Sequence, residues 1–249
     1  MCPIKLVAFD LDDCLFDSTG LSMKARLKGI EAMIELGLYV DHEKAIETIQ
    51  EIVDEYGSNF SNHYDYFIRR LNHLNYRLKL SYSDRYKYIA GAVKAYHQEK
   101  VNSIKLYDDV EDCIKKLKEN SIKTMIITDG LPIKQYDKIL RLGLDKLIDL
   151  VIISDEIGIR KPNPDLFEYG LKEAGVKGPE AIYVGDRIDK DIVPANLNSI
   201  HSVYIHRGGK HDKKEESAEL LGVNKPDFEI DTLLEIFDII EELNNNLTK

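Results

Sequence analysis

Four short segments carry residues that could do chemistry together. The first apolar run of the chain, IKLVAF (residues 4–9), ends in Asp10, with Asp12 two positions on. A second run, KTMIIT (123–128), ends in Thr128-Asp129-Gly130. Lys161 stands in Ile159-Arg160-Lys161-Pro162, after the run LVIIS. The run AIYV (181–184) leads into Gly185-Asp186, followed by Asp189 and Asp191. Taken singly, each segment has a plain explanation: acids after strands form turns or cap helices, and a lysine before proline is a solvated loop charge. Taken together, carboxylates, a hydroxyl and an ammonium at successive strand ends are more than independent turns would deliver.

That set suits phosphoryl transfer. Two or three carboxylates gathered at one point repel each other unless a cation lies between them. A small set of hard oxygen ligands favours Mg²⁺, which keeps several waters and shares a phosphate oxygen with its substrate. A lysine and a threonine hydroxyl add donors for a phosphoryl group, and backbone amides in the turn after the first strand add more. One carboxylate can then attack phosphorus, giving an aspartyl-phosphate that water hydrolyses. A second can protonate the leaving oxygen and later deprotonate the water.

The elements that must position these residues are legible from periodicity. Short apolar strands are expected at 4–9, 123–128, 150–154, 181–184 and 202–205, with a short edge strand at 228–230. Helices are expected at about 108–120 (Asp108 or Asp109 near its cap), 133–142, 165–174, 188–196 and 231–243. Strands alternating with helices predict an α/β fold: a Rossmann-like parallel sheet with helices on both faces, whose ligands bind beyond the carboxyl ends of the strands. Between Met23 and His97 the rhythm is helical throughout. Phe60, Tyr64, Phe67, Leu71 and Leu74 keep the 3–4 spacing of a buried face, and so do Tyr82, Tyr86, Ile89, Val93 and Tyr96. Four helices packed as a small bundle are expected there, inserted after the first strand.

Composition narrows the function classes. The chain has 249 residues and a formal net charge of −10, with Asp+Glu 44 against Lys+Arg 34. Such a balance argues against wrapping nucleic acid. No stretch approaches the ~20 apolar residues of a membrane helix, and the N-terminus does not read as a signal peptide. Cys2, Cys14 and Cys113 are odd in number and widely spaced, which suits free thiols in the cytoplasm and forms no zinc pattern. His206 and His211 fall in a polar, Gly-rich stretch (206–214) that reads as a solvated loop.

FDLDDCLFDS, IITDG, IRKPNPDLF and VGDRIDKDI, in that order, resemble the four motifs of the haloacid dehalogenase superfamily, specifically its phosphatase branch. The resemblance covers nearly the whole α/β core, and the helical insertion is similar to the family's helical cap. It implies a domain division of 1–17 and 99–249 for the hydrolase core and 18–98 for the cap. It implies Asp10 as nucleophile and metal ligand. Asp12 would be the general acid/base and would ligate the metal through its backbone carbonyl. Thr128 and the amide of Asp129 would bind the phosphoryl oxygens, and Lys161 would neutralise nucleophile and phosphate. Asp186 would be the third metal ligand. Asp191 would orient Lys161, with Asp189 as the fallback. Cys14 departs from the usual Thr or Val, and Arg187 from the usual Ser. More narrowly, the length, the cap type and VGDRIDKDI resemble archaeal phosphatases associated with glyceraldehyde 3-phosphate.

The expected function is therefore Mg²⁺-dependent hydrolysis of a small phosphorylated metabolite, by a monomer or homodimer that uses neither nucleic acid nor membrane. A phosphomutase of the β-phosphoglucomutase type needs the same core and is the nearest alternative. A 2-haloacid dehalogenase would need neither Asp12 nor Asp186. A phosphonatase would need a cap lysine such as Lys24 or Lys28, and a silent binding module would need none of the set. The cap tyrosines read as bundle core. Tyr64, Tyr96, His63 and Arg69 are the groups there that could reach a substrate.

Overall fold

The computed structural model describes residues 3–73, 82–209, 212 and 219–245. Cys2, Leu74 and His211, named above, lie outside them. The chain divides into two compact units, one of Met1–Thr19 with Lys105–Lys249, the other Gly20–Ile104.

The first unit is built on a six-stranded sheet. Its strands are β1 (Leu6–Phe9), β2 (Lys123–Thr128), β3 (Leu150–Ile153), β4 (Ala181–Gly185), β5 (His201–Ile205) and β6 (Phe228–Ile230). They lie in the order β3-β2-β1-β4-β5-β6, and every pairing is parallel. β1 and β4 are buried along their whole length, which is why they read as unbroken apolar runs rather than alternating ones. The order reverses at β1, so the β2–β1–β4 edge is the switch point where an open α/β sheet binds ligands. The register sets Phe9 beside both Ile126 and Val184, and the residues that follow emerge at one edge.

Helices cross over between these strands. In chain order they are α5 (Val110–Glu119), α6 (Pro132–Arg141), the single turn α7 (Ser154–Ile157), α8 (Asp165–Ala174), α9 (Val193–Leu197) and α10 (Ile236–Asn245), the numbers α1–α4 belonging to the second unit. Phe167 and Leu171 of α8 pack on Met125, Ile127 and Tyr183 in one core layer. Two expectations are corrected in detail. The helix foreseen at 188–196 opens instead as a π-turn over Ile188–Ile192 before α9, which Pro194 can join because an early helix position needs no N–H. Asp109 does stand at the start of α5, but it makes no cap bond there. Its carboxylate takes a bidentate contact from Arg207 at 2.9 and 3.0 Å and a bond from the Leu233 amide at 2.8 Å.

His206 also departs from expectation. It is buried between Asp212 (2.8 Å) and Glu229 (2.9 Å), and its amide donates to Ile230 at the sheet edge. A histidine flanked by two acids in space, though by neither in sequence, is an anchor for the β5–β6 edge rather than a solvated loop group.

Among the described residues the second unit contains four helices, α1 (Ser18–Glu35), α2 (His42–Tyr56), α3 (His63–His73) and α4 (Tyr82–Ser103); α1 begins at the end of the first unit's N-terminal segment, Met1–Thr19. Ile30, Met33, Ile49, Ile52, Phe67 and Leu71 form its core, with Tyr88 and Ala92 of α4. On α4 the expected face is corrected: Tyr86 and Val93 are exposed, and the buried positions lie one residue before the expected Ile89 and Val93. Asp41 caps α2 by accepting from the Lys44 amide at 3.0 Å. Among the described residues, no helix is long and apolar enough to cross a membrane.

Candidate active site

The carboxyl edge of β1, β2 and β4 brings the sequence-predicted residues together. Asp10 leaves β1 with its amide bonded to Val184 O at 2.9 Å, so the backbone of β4 fixes where its side chain starts. Asp186 follows β4, and Asp191 returns from the π-turn. One carboxylate oxygen each from Asp10, Asp186 and Asp191 lies within 4.8 Å of the others, and all three residues are buried. Gly185 makes this approach feasible. A Cβ there would fall 2.4 Å from the Cβ of Asp191, closer than packed atoms come.

Lys161 is almost wholly enclosed. Its ammonium donates to Asp10 Oδ1 at 2.6 Å, Asp191 Oδ1 at 2.8 Å and the Tyr183 hydroxyl at 2.6 Å, which uses all three of its protons. Burial alone would lower its pKa, but the two carboxylates outweigh that and raise it above the ordinary lysine value. Asp191, not Asp189, is therefore the acid that holds Lys161. Asp189 pairs with Arg187 at the surface, which accounts for that arginine as well.

Three buried acids lie beside one ammonium, which bonds only two of them, and their electrostatics show the shortfall. Burial pushes Asp10 up to about 7, Lys161 pulling it down and Asp191 pushing it further up. Burial, then Asp191 and Asp10, push Asp186 up to about 9. Hard oxygen donors, crowded, buried and short of positive charge, are the donor set that a small divalent cation fits.

Thr128 is buried at the end of β2. Its Oγ1 accepts from Gln135 Nε2 at 2.6 Å, and the same nitrogen reaches the Asp129 carbonyl at 2.9 Å and Asp12 Oδ2 at 3.2 Å. Asp129 ties down the lysine loop, because its Oδ1 accepts from the Lys161 amide at 3.0 Å while Lys190 pairs with Oδ2 at 3.2 Å. The Asp12 side chain lies apart from the three-acid cluster and is held by Lys138, whose ammonium is 2.7 Å from both oxygens. Burial would raise the Asp12 pKa, but the Lys138 charge and bonds from Ser18 and Gln135 prevail and lower it.

Gln135 and Lys138 were not singled out from the sequence. They sit three apart on the first turns of α6, directly after Thr128-Asp129-Gly130, and that spacing after a strand-end turn is the signal that could have marked them. Cys14 is buried, and its thiol donates to Val184 O at 3.6 Å. It packs behind the site.

Comparison with known proteins places the chain in a family. The family model described as haloacid dehalogenase-like hydrolase matches residues 4–196. A glyceraldehyde 3-phosphate phosphatase from Methanopyrus kandleri is 41% identical, over 96% of this chain and 98% of its own. A protein of the same name from Methanocaldococcus jannaschii is 35% identical, over 98% and 100%. The solved structure of a HAD phosphatase from Thermococcus onnurineus shares the fold, with a TM-score of 0.61 at 24% identity over 95% of this chain and 98% of that one. With four motifs at one sheet edge and relatives matched end to end, the chain belongs to the haloacid dehalogenase-like hydrolase family.

Proposed function

We propose that this protein is a phosphatase that hydrolyses a small phosphomonoester through an aspartyl-phosphate on Asp10, with Mg²⁺ as cofactor. The observation that carries the reading is the buried convergence of Asp10, Asp186 and Asp191, with the Lys161 ammonium bridging Asp10 and Asp191. Asp10 Oδ attacks phosphorus, the ester oxygen leaves, and Asp12 supplies the proton it takes up. Asp12 then takes a proton from water. That water attacks the phosphoryl-enzyme, and inorganic phosphate departs with the Asp10 carboxylate restored. Lys138 favours the ionised form of Asp12, the form that accepts the water's proton.

Thr128 and the Asp129 amide are assigned to the phosphoryl oxygens. Lys161, held by Asp191, offsets the charge on nucleophile and phosphate. Asp10, Asp186 and the backbone carbonyl of Asp12 would hold Mg²⁺, which when bound supplies charge neutralisation at the transferring group. The helical insertion is assigned to the family's cap. The names of the Methanopyrus and Methanocaldococcus relatives favour glyceraldehyde 3-phosphate or another triose phosphate as substrate. Free, buried Cys14 and Cys113 thiols suit a reducing cytoplasm.

A panel of triose, sugar and nucleotide phosphates tests the reading. Release of inorganic phosphate, fastest with a triose phosphate, is expected; an isomerised phosphosugar without phosphate release would instead support a mutase. Asp10→Asn should cost at least about a thousandfold in kcat with the fold intact by circular dichroism. A variant as fast as the parent would remove Asp10 as nucleophile.

A further inference from the structure

The second unit contains a charge that its own residues leave unanswered. Arg26 lies on the inward face of α1 and is only 4% exposed. Every other described arginine (Arg69, Arg70, Arg85, Arg141, Arg160, Arg187 and Arg207) is paired with a carboxylate. Arg26, buried as it is, has none among the described residues. Its one bond from the guanidinium goes to a neutral acceptor, from Nη2 to the Ser58 carbonyl at 2.8 Å. Its Nε–H is buried with no partner.

The groups around it do not supply the missing charge. Tyr64 donates its hydroxyl to the Arg26 carbonyl at 3.3 Å, and Tyr96 is a second phenol nearby. Burial raises the Tyr64 pKa further, so that phenol is neutral at ordinary pH. His63, buried with Nε2 3.0 Å from the Gly57 carbonyl, is held neutral first by burial and then by the positive charge of Arg26 itself.

An isolated buried guanidinium is destabilising, because it loses its hydration without gaining an opposite charge. In a chain of net charge −10, with acids to spare, that cost points to a ligand that brings the counter-charge. We propose that Arg26 is the anchor of an oxyanion-binding site in the helical unit, built by Arg26 with Tyr64, Tyr96 and His63 around it. The ligand class is a small phosphate or carboxylate anion, which accepts from the guanidinium fork in the way neither chloride nor a neutral carbonyl can. None of these residues belongs to the carboxylate cluster of the first unit, so the site stands or falls independently of the phosphatase reading.

The test compares the full-length protein with Arg26→Met, which keeps the stem and removes the charge. Ser58 is exposed, so water can replace the bond its carbonyl loses. In phosphate-free buffer the variant should melt at the same temperature as the parent or higher, because an apolar group replaces an uncompensated charge. Inorganic phosphate, and separately acetate, should raise the parent's Tm more than the variant's at matched ionic strength with chloride. Anion binding at the first unit's site is common to both proteins and cancels in the difference. In ¹⁵N spectra the Nε–Hε signal that vanishes in Arg26→Met should move saturably with phosphate in the parent. Arg26→Lys keeps the charge without the fork and should bind about tenfold more weakly, which covers the case of a Met variant that fails to fold.

An immobile Nε–Hε signal would overturn the proposal. So would equal Tm responses to phosphate in parent and variant, or a Met variant that is folded but clearly less stable in anion-free buffer.

Discussion

At the scale of single residues, Lys138 stands out as a group with no motif behind it. It grips both oxygens of Asp12 at 2.7 Å and lowers that acid's pKa against the upward push of burial. Removing it lets the Asp12 pKa rise. Lys138→Met should therefore move the acidic limb of the kcat–pH profile upward by about 1 unit, the lower end of what an adjacent opposite charge does. p-Nitrophenyl phosphate is the substrate for this measurement, because its phenolate leaves without a proton and the profile then reports the base step. An unmoved limb would mean that Lys138 does not set the ionisation of Asp12. Tyr183 belongs to the same scale. Its hydroxyl is the third partner of the Lys161 ammonium, and it donates onward to Asp191 at 3.1 Å or to Ile127 O at 3.3 Å.

At the scale of elements, the decisive feature is how closely β4 and the π-turn after it approach each other. The turn brings Asp191 back over Gly185, where the Arg187 amide donates to Asp191 Oδ2 at 3.1 Å. Gly185→Ala would place a methyl 2.4–2.6 Å from the Asp191 side chain. The strand is buried on all sides and cannot give way. Overpacking of this kind costs about 1–3 kcal/mol, and the displaced Asp191 would release Lys161. The expected outcome is a lower Tm together with a lower kcat. A variant with full activity would show that the Asp191–Lys161 contact tolerates a shifted turn.

At the scale of the whole molecule, stability and metal binding should be coupled through pH. Asp10 and Asp186 have folded pKa values of about 7 and about 9, against 3.8 for an ordinary aspartate. A carboxyl raised in this way stabilises the fold fully below its unfolded pKa, and the contribution is lost as pH climbs through the folded value. The EDTA-treated protein should thus lose Tm between about pH 5 and pH 9. Mg²⁺ should restore it, and by more at pH 9 than at pH 6, because protons compete for the same oxygens at low pH. Asp186→Asn should flatten both responses in differential scanning calorimetry. A pH-independent Mg²⁺ effect would place the cation elsewhere.

Much of this protein is determined locally. A strand that ends in Asp-x-Asp, or a Thr-Asp-Gly after KTMIIT, is written in adjacent residues, and the burial that makes such strands apolar on both faces is written in the same runs. So the parallel sheet, the four-helix insertion and Asp10, Asp12, Thr128, Asp129, Lys161, Asp186 and Asp191 as candidates were legible before any coordinates. What the chain order could not decide was pairing across the sheet edge. Only the folded structure selects Asp191 over Asp189 for Lys161, turns Asp12 toward Lys138, sets His206 between Asp212 and Glu229, and leaves Arg26 without an acid. Charge pairs form between groups that tertiary packing brings within hydrogen-bonding reach, from 6 residues apart for His206–Asp212 to 126 for Asp12–Lys138, and no fixed local spacing encodes them.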